Sequence, residues 1–490
     1  MDIRGHLRAY WRDETGGILV LWMVCLTLVL GIVAMSFDMG RIASTQTELQ
    51  SFADSVALAA AGELDGNSDA ITRANRAAAN LIADTQTFAT GSQALTTSDF
   101  TLDFYRTLPS SDLASISSGQ TTNARDAIYA RVVVTPKTVP FTFGAAFFTL
   151  AGATPSNNQI GAVAVAGFTQ YACDITPMMF CIPSPTFDAA NPATIGDMIL
   201  LRSGGQGAAW GPGDFGFLQP STLALDSTGS CAGINGAGPL LECVLGAAGS
   251  ITQCFAQRGV DTEPGQKVGI TDALNVRFDI FKGNLAQKKN DPLWAPAPNV
   301  IKGIVPRGGG NCIGQNSNPS PNTLGLPRDN CFNNGTCTRY GNGDWSTGRA
   351  NYVATNYGGT DPAPSATTRY QMYLTEIANG GGAASGSAIL PPGKAETGRP
   401  MCSNQQNTDP YRRVIIAAGI DCAANPINGR ATGVPVHQFV KLFLTEPITD
   451  NGGGSPTLAI FAEIIGKAGG GGAGSSDTAG TFHDVVQLYR

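Results

Sequence analysis

The sequence predicts an α+β protein. One N-terminal transmembrane helix continues into an Ala-rich helix. A mixed, loop-rich, disulfide-containing region outside the cytoplasm follows, and a C-terminal antiparallel sheet closes the chain. Three observations predict this. Residues 18–37 form an uncharged apolar run of twenty residues. Helical spacing continues beyond it and changes to a period of two near Thr101. Ten of the eleven cysteines lie downstream of the run.

The apolar run starts at Ile18 and ends at Phe37. As a helix it spans ~30 Å, the thickness of a hydrocarbon core. Only a helix satisfies its own backbone there. Trp22 lies near one end, where an interfacial ring is favoured. Arg4, Arg8 and Arg12 precede the run; after it Arg41 is followed by no Lys or Arg until Arg73. The positive-inside rule therefore places residues 1–17 in the cytoplasm as a basic segment and the remainder across the membrane. The rival reading is a cleaved signal peptide, for which Ala34-Met35-Ser36 is a tolerable small-x-small site. The run exceeds the usual length of a signal core, and helical pattern continues past that site.

Leu49, Phe52, Val56, Ala60 and Leu64 recur at helical steps among alanines. Asp65-Gly66-Asn67-Ser68 ends this helix, and Asn or Ser caps the next. Ile71, Ala74, Ala78 and Leu81 continue at helical spacing. Residues 101–105, 128–135 and 160–168 alternate as strands. A helical hairpin with a small sheet is thus expected over 38–170, with the Leu49–Phe52–Val56–Ala60 stripe packed on those strands.

Residues 171–410 read as loop-rich and Cys-containing, with helices near 240–257 and 365–379. Residues 411–490 read as β-rich: 413–420, 439–446, 458–466 and 485–489 are expected to form one sheet, with a mobile Gly/Ser linker at 469–476. The 61 glycines and 29 prolines in 490 residues stand above the usual ~12% for the pair and fit many turns.

An even number of cysteines beyond a membrane segment implies disulfides in an oxidising compartment. None forms a C-x-x-C pair, which argues against zinc knuckles and thioredoxin chemistry. Near neighbours are the pairs expected from spacing: Cys173 with Cys181, and Cys402 with Cys422. Net charge is −6 and no dense basic run occurs, so nucleic acid is not an expected partner.

No catalytic, cofactor-binding or metal site emerges. Of three histidines, only His437 and His483 could serve a nucleophile outside the cytoplasm, and no G-x-S-x-G elbow accompanies them. Asp226-x-Thr228-x-Ser230 approaches the Asp-x-Ser-x-Ser of a metal-dependent adhesion site, with Thr in place of the first Ser; the competing reading is a hydroxyl-rich turn. Asp65-Gly-Asn67-Ser-Asp69 imitates the start of an EF-hand loop but has Ala70 and Arg76 where Gly and Glu belong, so a capping turn is favoured. Asn334-Gly-Thr336 fits the glycosylation pattern.

The ordered set W-R-D-E-T-G-G-I-L-V-L, the span, F-D-M-G-R-I and T-E-L-Q-S-F-A-D-S-V-A-L-A-A-A resembles the N-terminal domain of TadE/TadG-like proteins of the Flp (tight adherence) pilus system. The family's Asp-x-Gly-Arg turn maps to Asp38, Gly40 and Arg41. Its Ala-Asp-x-x-Ala-Leu-Ala-Ala helix maps to Ala53, Asp54, Ala57, Leu58 and Ala59. Segments 177–183, 210–218, 261–269 and 275–281 resemble TadG-related members without a von Willebrand factor A domain. The resemblance implies a bacterial inner-membrane protein with its bulk in the periplasm, acting with other pilus-assembly proteins and without enzymatic activity or cofactor. Gly16 and Gly17 lack the Glu five residues on that prepilin processing requires. A periplasmic or surface adhesin, metal-assisted through Asp226, is the alternative function.

Overall fold

The computed structural model describes residues 17–489 except 67, 81–83, 110, 112, 151, 153–157, 174, 204–212, 221–229, 249–253, 258, 264–268, 309, 383–386, 451–457 and 469–480. Residues 1–16 of the basic segment 1–17, and the Gly/Ser linker, lie outside the described residues. Two compact units divide the chain: Met1–Thr169 with Val485–Arg490, and Gln170–Asp484.

In the first unit, helix α1 (Gly17–Ala61) runs unbroken for 45 residues, ~68 Å at the standard rise. It contains no proline, and its internal glycines cost only ~1 kcal/mol each. Leu19, Trp22, Leu28, Ile32 and Phe37 each keep more than half of their surface exposed. From Leu49 onward one face is buried. Helix α2 (Ala70–Asn80) returns with Ala70, Ala74 and Ala78 inward.

Strands β1 (Phe100–Tyr105), β2 (Tyr129–Val134) and β3 (Val163–Cys173) form an antiparallel sheet. Phe100 faces Val134 across β1 and β2, and Tyr129 faces Gly167 across β2 and β3. The core joins Leu49, Phe52, Val56 and Leu64 of the helical hairpin to Ala130, Val132, Ala164 and Ala166 of the sheet. The expected stripe packs as predicted. Alanine against alanine lets helix and sheet backbones approach closely.

The C-terminal strand Thr481–Leu488 pairs with β3. The expectation that 485–489 joins the other C-terminal strands is therefore corrected. Tyr489 donates its backbone N–H to Val165, and its ring meets Tyr129 edge-on at 5.1 Å. Gly167 makes room for this: a Cβ there would lie 2.7 Å from the Tyr129 ring and 2.8 Å from Tyr489.

The second unit is built on an eight-stranded sheet. It contains β4 (Met178–Cys181), β5 (Met198–Ser203), β6 (Phe215–Leu218), β7 (Val414–Ile420), β8 (Gln438–Leu444) and β9 (Leu458–Lys467). The order is β6–β4–β7–β8–β9, with β5 on β9. Pairings are antiparallel except β4 with β7. The expected division at 410/411 thus coincides with no boundary between compact units, because strands from both sides of it share this sheet. β7 and β8 are buried along their whole length.

Helices α4 (Ala237–Gly246) and α5 (Gly269–Asn275) pack into the core with Trp294. The apolar run expected as a helix over 240–257 stops at Gly246, whose Cβ position lies 2.6 Å from Trp294. Helix α6 (Ser346–Tyr357) has no counterpart in the sequence reading, because its polar face dominates its pattern. Helix α7 (Arg369–Asn379) starts at a capping box of Thr368 with Gln371.

Five disulfides form: Cys173–Cys254, Cys181–Cys422, Cys231–Cys243, Cys312–Cys402 and Cys331–Cys337. Cys25 is free. The expected pairs Cys173 with Cys181 and Cys402 with Cys422 are corrected, and strand pairing supplies the reason. Ala172 lies opposite Phe255, which brings Cys254 to Cys173. Ile420 lies opposite Cys181 in the parallel pair, which brings Cys422 to it.

Candidate functional site at the membrane exit of the first helix

Asp38 follows the apolar run directly and is 2% exposed. The Asp-x-Gly-Arg segment is not a turn, as expected, but part of α1. The Asp38 carboxylate accepts backbone N–H bonds from Thr142 (3.0 Å), Phe143 (3.1 Å) and Gly144. These residues lead into the short helix α3 (Ala145–Leu150). Burial works to raise the Asp38 carboxyl, but the N–H groups of Gly144, Thr142 and Phe143, with Arg41, hold it below the usual value.

Arg41 lies one turn on. It donates to Thr142 Oγ1 and, at 3.4 Å, to the Pro140 carbonyl. It lies 3.8 Å from the Asp38 carboxylate and over the Phe88 ring at 5.3 Å. The Phe37 and Phe143 rings meet at 5.7 Å, and each keeps over half its surface exposed. Gly144 permits this clasp: a Cβ there would sit 3.0 Å from Asp38 Oδ2. Gly40 has open space around it, so nothing among the described residues requires its small size.

Of the other motif residues, Ala53 and Ala57 are fully buried against the sheet, and Leu58 and Ala59 are half-buried. Asp54 accepts a bond from Gln50 at 2.8 Å. Gln50 also donates to the Val163 carbonyl on β3. Asp54 is thereby tied to the helix–sheet join.

Asp226 and Thr228 lie outside the described residues. Asp65 and Asp69 of the EF-hand-like turn, with Glu63, engage the Arg73 side chain, whose pKa is raised chiefly by the Asp65 bond. The His437 ring nitrogen Nε2 lies 3.1 Å from the Phe187 carbonyl. Among the described residues, no group of three or more His, Cys, Asp or Glu could hold a metal ion.

The second unit holds buried charges that sequence reasoning missed. Arg369 spans Asp329 and Glu463, all three side chains fully buried. Arg413 donates to the Leu444 and Thr445 carbonyls beneath the rings of Phe278, Phe443 and Tyr373. Arg277 donates to Leu245 and Arg412 carbonyls. Burial lowers both Arg277 and Arg413 to about 10. Glu376 takes bonds from Tyr352 (2.6 Å), Tyr357 (2.9 Å) and Asn299 (2.7 Å). Arg369 and Arg413 tie α7 and the start of β7 to the strands β9 and β8, and Glu376 ties α7 to α6. Their partners stand 19 or more positions away in the sequence, so no local signal marks them.

Among the described residues one helix is long and apolar enough to cross a membrane; exposed over its first half and packed into a folded unit over its second, it fits the membrane-anchored class of protein. Within that class, residues 16–63 match the family model described as Putative Flp pilus-assembly TadE/G-like. This N-terminal segment is therefore similar to TadE/G-like Flp pilus-assembly proteins. No curated protein and no solved structure matches the chain.

Proposed function

We propose that this protein is an assembly or structural component of a Flp-type pilus system, anchored in the bacterial inner membrane by α1. Its N-terminus is cytoplasmic, the chain beyond the span is periplasmic, and it acts through protein contacts rather than through a reaction. The observation that carries the reading is the TadE/G-like segment itself, which leaves the apolar run and becomes the core helix of a folded unit without a break. The arginines ahead of the run support the orientation. The five disulfides fit an oxidising compartment.

The test is a clean deletion of the gene in its own cell. Fewer pili and weaker surface adherence, restored by the full chain, are expected. Normal pilus number and normal adherence would sink the reading.

A further inference from the structure

We propose that the loop 140–144 is a foot on the lipid surface: where α1 leaves the bilayer, Phe143 and Phe37 lie together among the headgroups and upper acyl chains. The inference rests on reading α1 as a membrane span, and it goes beyond that reading by giving the folded unit a second, side-on contact with lipid.

Three observations carry it. The first is continuity. Phe37 is the last residue of the apolar run, and the Phe143 ring meets it at 5.7 Å, tilted by 44°, from more than a hundred residues away in sequence. Both rings are over half exposed, so the exposed surface of the span extends sideways onto this loop. The second is level. Asp38, one residue and ~1.5 Å along the helix axis from Phe37, holds residues 142–144 by their backbone. This fixes the loop at the depth where the span ends.

The third is polar satisfaction. Irregular backbone is costly near hydrocarbon because its N–H and C=O groups lack water. Here the N–H groups of Thr142, Phe143 and Gly144 go to Asp38. The Pro140 carbonyl and the Thr142 hydroxyl go to Arg41. Five polar groups of the loop thus turn inward to α1, and a phenyl ring is left outward. Aromatic rings are favoured at the membrane–water interface.

The test uses the full chain in lipid nanodiscs with a small fluorophore on one cysteine, the disulfides left intact. Three chains are compared: the natural chain labelled at Cys25, which is free and exposed; Cys25→Ser with Phe143→Cys; and Cys25→Ser with Leu113→Cys, Leu113 being 97% exposed. Each is quenched by aqueous iodide and by lipids carrying a nitroxide near the headgroup or deep in the chain.

The Phe143 label is expected to be quenched by the shallow nitroxide and to be several-fold less sensitive to iodide than the Leu113 label. Adding Asp38→Asn is expected to return its iodide sensitivity toward that of Leu113. If Phe143 is as open to iodide as Leu113 while the deep nitroxide quenches Cys25, the foot is overturned and the span stands. If neither nitroxide quenches Cys25, the span reading fails and takes the foot with it. If Phe143 stays protected in the Asp38→Asn chain, Asp38 does not hold the loop at the lipid surface.

Discussion

Asp38 and Asp197 are two carboxylates that the structure drives in opposite directions. The Asp38 carboxyl is held low, so its contribution to stability is present above the unfolded carboxyl value of ~3.9 and is lost as pH falls through the lower folded value. Asp38→Asn replaces one of the two oxygens facing three backbone donors by an NH2 group and removes the charge, and is expected to cost about 1–3 kcal/mol at pH 7. Urea unfolding of the detergent-solubilised chain from pH 7 to pH 3 checks this: the gap between parent and variant should close toward acid. Asp197 is pushed up to about 6 by burial and by the charge of Asp329, against the pull of Arg369. Its sign is reversed: stability falls as pH rises from ~4 through 6, because the unfolded chain ionises first. Asp197→Asn is therefore expected to be more stable than the parent at pH 7, with the advantage vanishing near pH 4. A Tm difference that does not change with pH would contradict this. Neither behaviour was legible in the sequence. Asp38 was legible as a motif residue, yet its bonding partners stand about a hundred positions away.

The decisive element is α1. Its inner stripe was readable from spacing alone, because Leu49, Phe52, Val56 and Ala60 recur at helical steps on a background of alanine. The structure adds the matching face: Ala130, Ala164 and Ala166 from the sheet and Ala74 from α2. Such a join has no slack for bulk and none for charge. Val56 is 1% exposed, and Val56→Asp buries a carboxylate with no partner. A loss of several kcal/mol is expected, enough to unfold the first unit. Limited proteolysis of membranes should then release fragments from residues 60–170. Normal accumulation and protease resistance of the variant would contradict the packing. Strand β3 was readable as a strand but not by its length or neighbours. Period two reveals which face is buried, not which distant segment completes the edge, and the C-terminal strand takes that place.

Across the whole molecule, disulfide connectivity is the clearest prediction. Non-reducing peptide mapping should recover Cys173–Cys254 and Cys181–Cys422, and not Cys173 with Cys181 or Cys402 with Cys422. The Cys181–Cys422 bridge closes a separation of 241 residues. Its replacement by Cys181→Ser with Cys422→Ser is expected to cost roughly 3–5 kcal/mol, read as a lower denaturation midpoint of the solubilised chain. The sequence by itself determined the α+β class, the apolar span, the inner face of the helix that leaves it, the likeness to TadE/TadG proteins and the even set of downstream cysteines. Each of these is local: it rests on periodicity, composition or the order of neighbouring residues. Only the tertiary structure decided that β4, β5 and β6 share one sheet with β7, β8 and β9, which cysteines meet, where the last strand pairs, and that Asp38 clasps a phenylalanine loop at the end of the span. Those are contacts between residues far apart in the chain. Many pairings satisfy the same local pattern, and only the register of the packed strands selects among them.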